Sequence, residues 1–417
     1  MSTSPKIAYL TSLYPAASHT FVLREVTALR ELGLEIETCS IRRPDAAHLI
    51  GPEEQAAYDS TFFTVESAKN PGYVLKSLGA ALARPGRFLS TLGLAWRTAP
   101  PGVKGGIKQI IYLAEAILLA QHLRAKGIEH LHNHFANSAA NVAMMAANLN
   151  DIRFSYTLHG PSDLFEPDTW CLEEKTNRAS FVSCISHFAR SQAMLFSKPK
   201  QWDKLKIIHC GVIPERYENT ETPADKQPGT ELIFVGRLAA VKGLRVLLKA
   251  FAKAQEGRPD LRLTLVGDGD DRAHLEQLAA PFGDKVEFRG YLSQDKVAEA
   301  LARADVLVLP SFAEGLPVVL MESLAASRAV ICTQVAGVGE LVEEGVSGFR
   351  VPPSDEDTLA LRIGQLADDP ELRKRMGRAG REKVRAEFDI RKEAEKLAGH
   401  FRNAAKSSLS EPDIHHR

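Results

Sequence analysis

Residues 310–326, PSFAEGLPVVLMESLAA, hold two glutamates, Glu314 and Glu322, with seven residues between them. The run ADVLVLP before them has strand character. Pro317 suits a first helical position, where its fixed φ and missing N–H cost nothing. Glu314 therefore falls in a strand-to-helix loop and Glu322 on the helix that follows. A helix start offers free N–H groups and the positive end of a dipole to phosphate. A carboxylate just outside it accepts hydrogen bonds from sugar hydroxyls. Together these groups predict a nucleotide-sugar site.

Other residues bear on the same site. The run ELIFV ends in Gly236-Arg237-Leu238, and Lys242-Gly243 follows. Glycine at a strand end lets backbone approach a ligand closely. Taken alone, Arg237 and Lys242 read as solvated charges. Beside Glu314, Gly315 and Glu322 at matching strand ends, they read as cations for a diphosphate whose negative charge grows as it leaves. The run VGDGDD ends the next strand. Its Asp-Gly-Asp triplet has the look of a metal-binding carboxylate pair, and its glycines partly match a dinucleotide fingerprint. Arg272 stands where the third glycine belongs. A tight turn with an acidic helix start explains the run better, with Gly267 near the nucleotide, and no metal is expected.

The first half of the chain is less explicit. YTLHG places His159 at a strand's C-terminal end, where α/β sheets hold ligands. It is either a group for the sugar or acceptor or a satisfied structural histidine. His130, His132 and His134 alternate along one strand and share one face, without the carboxylate or cysteine arrangement of a metal site. The loop after the first strand, PAASHTFV, tops the sheet, and Ser18 or Thr20 suits a helix cap there. It reads either as part of an acceptor side comprising Ser18, His19, Thr20, Phe21 and His134, or as capping alone.

These groups need a frame that delivers them to strand ends. Short apolar runs alternate with amphipathic segments such as residues 20–32 in both halves, the pattern of parallel sheets covered on both faces. A polar stretch rich in Pro, Glu and Thr separates the halves. The expected organisation is a first domain over residues 1–213, a linker over 214–230, a second domain over 231–391, a helix over 392–406 and a disordered tail over 407–417. Residues 67–114 contain no Asp or Glu, but seven basic residues with leucines, Tyr73, Phe88, Trp96 and Tyr112 between them. Such segments lie on anionic membrane surfaces or form ordinary basic helices. With 52 basic and 52 acidic residues in 417, nucleic acid is not the expected main partner. The five cysteines are odd in number, widely spaced and lack a C-x-x-C pair, which predicts a reduced, cytoplasmic setting. Neither a signal peptide nor an apolar run of membrane-spanning length is visible.

Over most of its length the chain resembles the retaining GT-B glycosyltransferases of family 4, and within them the bacterial exopolysaccharide and colanic-acid type. The resemblance rests on FVGRLAAVKG, LVGDGDDR, EFRGYLSQDKV, ADVLVLPSFAEGLPVVLMESLA and GVSGFRVPPSD, with YPAASHTFVLREV, HLHNHFA, YTLHG and IHCGV in the first half. It implies two Rossmann-like domains facing across a cleft and a C-terminal helix that returns to the first. It implies donor contacts from Gly236, Arg237, Lys242, Gly267, Tyr291, Leu292, Glu314, Gly315, Leu316 and Glu322. Of these, Arg237 and Lys242 hold the diphosphate, Glu314 the donor sugar and Glu322 the ribose, while His159 lies near the sugar. The implied reaction is retaining transfer without metal or other cofactor, from a nucleoside diphosphate sugar to a lipid-linked oligosaccharide at the inner face of the membrane. A nucleotide-sugar epimerase is the alternative. Three positions depart from the family pattern: Ala16-Ala17-Ser18 replaces a glycine pair, His19 a glutamate, and Ile213 an aspartate.

Overall fold

The apolar runs form the strands of two parallel sheets in a computed structural model that describes residues 5–16, 19–49, 51–218 and 228–406. The chain divides into two compact units, one comprising residues up to His209 together with those from Glu393 onward, the other Cys210–Lys392.

The first unit contains β1 (Ile7–Leu13), β2 (Ile36–Arg42), β3 (Phe62–Phe63), β4 (His130–His134), β5 (Arg153–Leu158), β6 (Val182–Cys184) and β7 (Leu205–Ile207). Their order is β3-β2-β1-β4-β5-β6-β7, all parallel. Ile7 pairs with Ile36 on one side and His130 on the other, so strand order reverses between β1 and β4. Helices Thr20–Glu31 and Ser138–Asn150 follow those two strands. The acid-free stretch becomes helices Pro71–Leu82 and Pro85–Arg97 and the start of Val103–Lys126. From Glu393, the helix Ile390–Lys406 belongs to this unit. Phe401, fully buried, packs edge-on against the rings of Tyr9, His130 and His132.

The second unit contains β8 (Glu231–Val235), β9 (Arg262–Val266), β10 (Val286–Gly290), β11 (Val306–Leu309), β12 (Ala329–Thr333) and β13 (Gly348–Val351). Their order is β10-β9-β8-β11-β12-β13, again all parallel. Here the reversal falls between β8 and β11, and the crevice outside such a switch point is where open α/β sheets take ligands.

The sequence reading and the structure differ at three places. The two-residue edge strand β3 is too short to leave a periodic signal. The units part after His209 rather than Ile213, because Val212 bridges to Asp389 and Tyr217 buries its ring in the second unit. The expected linker therefore begins as the helical turn Glu215–Glu218; residues 219–227 and the tail 407–417 lie outside the described residues. All five cysteines are free.

Candidate functional site

In the second unit, three strand exits are tied together by backbone. Gly236 N–H donates to the Val266 carbonyl at 2.9 Å, Leu238 N–H to Asp268 at 2.9 Å, and Phe312 N–H to Val241 at 2.8 Å. Two glycines permit this approach. A Cβ on Gly267 (φ 131°) would lie 1.9 Å from the Gly236 carbonyl oxygen, and one on Gly243 (φ 66°) 2.1 Å from that of Pro310. No side chain fits either gap, and both φ values favour glycine.

On this scaffold Lys242 ends the 3-10 turn Ala240–Lys242 and pairs with Glu314, Nζ to Oε1 at 2.6 Å. Ser311 Oγ donates to the same oxygen at 2.6 Å, and Thr333 holds the Ser311 carbonyl from β12. Glu314 is largely buried and Lys242 partly so. A half-desolvated ion pair attracts more strongly than one in open water, but it also holds charges that a ligand can recruit. Arg237, just past the end of β8, is exposed and meets no carboxylate among the described residues. Gly315 passes its carbonyl to Gly337 N–H at 3.2 Å. The Leu316 side chain is buried, so only its backbone is available to a ligand. The helix Val318–Ala325 starts one residue later than the sequence suggests, with Pro317 as its N-cap.

Glu322, on that helix, is buried and accepts the Tyr217 hydroxyl at 2.9 Å. Tyr291 is exposed, its hydroxyl 3.4 Å from the Asp268 carbonyl, and Leu292 next to it is half-buried. Asp268 spends its carboxylate on Gly269 N–H at 2.8 Å and Arg272 at 3.0 Å, which fits a turn rather than a metal pair.

The candidate histidines of β4 and the β5 exit in the first unit are buried, while His19, Thr20 and Phe21 are half-buried. His134 Nδ1 lies 2.8 Å from His159 Nε2, and His134 Nε2 lies 3.2 Å from Glu25 Oε1, close but not aligned as a hydrogen bond. The Tyr9 hydroxyl donates to the same Glu25 oxygen at 2.8 Å. His132 faces Ser155 at 2.7 Å and Thr157 at 2.9 Å, and His130 shares Ser155 at 2.6 Å. Burial holds His130 down at about 3, and His132 and His159 well below the usual histidine range. These rings are neutral near pH 7. Among the described residues Glu25, His132 and His134 bring three possible metal-ligand atoms within 4.8 Å of one another. Both ring nitrogens of His132 already face hydroxyls, so the group reads as a polar network.

At the exit of β5, His159 packs its ring 4.7 Å from that of Phe21 and 4.5 Å from that of Phe135, and His19 lies 4.8 Å from Phe135. Asp163 anchors the turn by accepting His159 N–H at 3.1 Å and Ala136 N–H at 3.0 Å. Burial pushes its carboxyl up to about 6 and the nearby Lys175 ammonium down to about 7. Thr20 does not cap the helix: Thr20–Glu31 begins with it, and His19 is the N-cap with no side-chain cap bond. Ser18 lies outside the described residues.

Residues 19–216 match the model for glycosyltransferase family 4, and residues 217–383 the model for glycosyl transferases group 1. The alpha-D-kanosaminyltransferase of Streptomyces kanamyceticus is 32% identical over 264 residues, 59% of this chain and 68% of that protein. The chain belongs to the glycosyltransferases. The glycosyltransferase is also 25% identical over 420 residues to the amylovoran biosynthesis glycosyltransferase AmsK of Erwinia amylovora, covering 92% of this chain and 96% of that one. Its fold is GT-B. Anabaena Alr3699/HepE, solved in complex with UDP-glucose, superposes with a TM-score of 0.72 at 18% identity, covering 94% of this chain and 98% of that one.

Around the glycosyltransferase's second-unit site, the structure thus brings Gly236, Lys242, Gly267 and Glu314 together at one end of the sheet. It adds two side chains that sequence reading missed, Ser311 and Tyr217. Ser311 carried no signal beyond its place after a strand. Tyr217 did: it is an isolated aromatic in the otherwise polar run PERYENTE.

Proposed function

We propose that the glycosyltransferase moves a sugar, with retention and without a metal, from a nucleoside diphosphate donor to a lipid-linked oligosaccharide. The product belongs to an exopolysaccharide or other cell-surface polysaccharide, and the enzyme works in the cytoplasm, peripheral on the inner face of the membrane. The observation that carries this reading is the Lys242–Glu314–Ser311 cluster at the β8/β11 switch point, with Arg237 exposed just past the end of β8. The AmsK relative, named for amylovoran biosynthesis, supports the polysaccharide branch, and HepE, solved with UDP-glucose, supports a nucleotide-sugar donor. The family matches are to glycosyltransferases and give the epimerase alternative no support.

In this reading Arg237 and Lys242 hold the diphosphate with the start of helix Val318–Ala325. Glu314, released from its pair as Lys242 turns to phosphate, takes donor-sugar hydroxyls, with the backbone of Gly315 and Leu316 nearby. Glu322, steadied by Tyr217, takes the ribose. Gly236 and Gly267 keep backbone close to the nucleotide, and Tyr291 and Leu292 meet the base. His159 offers a neutral ring nitrogen to a sugar hydroxyl, while His19, Thr20 and Phe21, with Ser18, form the acceptor side; His134, fully buried, supports His159 from beneath rather than meeting the acceptor. The bond from the anomeric carbon to the diphosphate oxygen breaks. The acceptor oxygen bonds to that carbon on the same face, and its proton passes to the leaving phosphate. The two cations stabilise the growing charge, the role a metal plays elsewhere. Transfer measured in excess EDTA tests the metal claim: an unchanged rate is expected, and loss restored by a divalent cation would contradict it.

A further inference from the structure

Three consecutive helices of the first unit leave apolar side chains in water at regular spacing. On Pro71–Leu82 these are Leu75, Leu78 and Leu82. On Pro85–Arg97 they are Leu89, Leu92 and Trp96, in the same i, i+3, i+7 register. On Val103–Lys126 they are Val103, Ile107, Ile110 and Ile111. Leu75 is 74% exposed, Trp96 82% and Ile110 68%. Such spacing places each set on one helix face.

The first two helices repeat each other. PGYVLKSLGAAL and PGRFLSTLGLAW share Pro, Gly, Leu, Leu, Gly and Ala at the same positions. Each also turns a buried hydroxyl inward, Ser77 bonding the Tyr73 carbonyl and Thr91 that of Arg87. The repeated leucines are the exposed members of the pattern, Leu75 and Leu89 most of all.

Charge identifies the occupant. No acid lies between Ser67 and Ala114. Lys69 pairs with Glu66, Arg87 with Asp151 and Arg97 with Glu174. Lys76, Arg84, Lys104 and Lys108 are exposed and have no carboxylate partner among the described residues. A second copy docked face to face would set like charges against each other. No helix among the described residues is long and apolar enough to cross a membrane.

We propose that these three helices form a docking surface for an anionic phospholipid bilayer. The exposed Leu, Ile and Trp side chains enter the headgroup–acyl boundary, and the four unpaired cations meet lipid phosphates. This deepens the membrane placement proposed above and rests on that reading only for what the docked enzyme does; the binding itself stands apart from catalysis.

Flotation of the full chain with vesicles tests it, using phosphatidylcholine alone and phosphatidylcholine with phosphatidylglycerol. The chain is expected to float with anionic vesicles, less so at high salt, and little with neutral ones. The triple variant Leu75→Glu, Leu89→Glu, Trp96→Glu should lower the partition at least ~10-fold. Lys76→Gln, Arg84→Gln, Lys104→Gln and Lys108→Gln should each lower it about five-fold. Binding of UDP or GDP, whichever the unaltered protein takes, followed by thermal shift, should be unchanged in every variant, which shows that the variants are folded. Absence of flotation with nucleotide binding intact overturns the proposal, as does equal flotation of the triple variant. A dimer that the triple variant disperses, with no vesicle binding, assigns the surface to a second copy and also overturns it. Loss of nucleotide binding in the unaltered protein would count against the donor reading and leave the surface as it stands.

Discussion

In the second unit the charged candidates Arg237, Lys242 and Glu314 sit on loops after strand ends; in the first, the candidate histidines are buried along β4 and at the end of β5. Both sheets reverse strand order in the same way, so the difference lies in what each sequence loads onto the strand ends. Lys242 and Glu314 hold each other at 2.6 Å, partly in water, where a charged ligand can recruit them. His130, His132 and His159 have surrendered their charge to burial. One unit presents charges that ionic ligands can recruit; the other sets its half-buried candidates over a buried polar network.

Breaking the charged cluster gives the largest expected effect. Lys242→Ala, Arg237→Ala or Glu314→Ala should each lower transfer on the order of 100- to 1,000-fold, with the melting temperature nearly unchanged. Steady-state kinetics beside thermal unfolding checks this, and a folded variant with full activity would remove the contrast between the units.

Gly243→Ala and Gly267→Ala attack the scaffold under the same cluster. Each new Cβ would meet a carbonyl oxygen at close to 2 Å in a backbone region unfavourable to alanine. A loss of roughly 2–4 kcal/mol is expected, read by denaturant titration, with donor binding lost in parallel.

The first unit should respond to pH instead. A folded-state histidine pKa depressed below its unfolded value of about 6.5 gives stability that is present above that pH and lost as pH falls. His130, down at about 3, contributes a loss on the order of 4 kcal/mol by pH 3, and His132 and His159 act in the same direction. Asp163, raised to about 6, works the other way between about pH 4 and 6, but it is one group against three. Hydrogen exchange at pH 7.5 and 5 should therefore show protection falling first along β4 and β5. Equal loss in both units would erase the distinction.

Tyr217→Phe should have the smallest effect. It removes one hydrogen bond to buried Glu322, worth about 1–2 kcal/mol. Nucleotide affinity measured by calorimetry should fall modestly while transfer persists.

The sequence displayed the second unit's site well, because E-x7-E, G-R and K-G fall at strand ends that apolar runs mark plainly. It could not show that Lys242 and Glu314 pair, since they are distant in the chain and meet only when β8 and β11 lie side by side. The alternating histidines were visible, but their commitment to Ser155 and Thr157 depends on the register of β4 with β5. Tyr217 stood out as a lone aromatic among polar neighbours, but its contact with Glu322 is a long-range one that only the fold makes. The boundary near residue 213 was misplaced for the same reason: a few apolar residues fasten a polar stretch to the second unit.

Calorimetric titration of the intact chain with UDP and GDP, unaltered and as the Arg237→Ala/Lys242→Ala double variant, tests the central claim most directly. The unaltered protein should bind one of the two nucleotides, and the double variant at least ~100-fold more weakly. A folded double variant that binds as tightly as the unaltered protein would contradict the assignment of the diphosphate to these two cations.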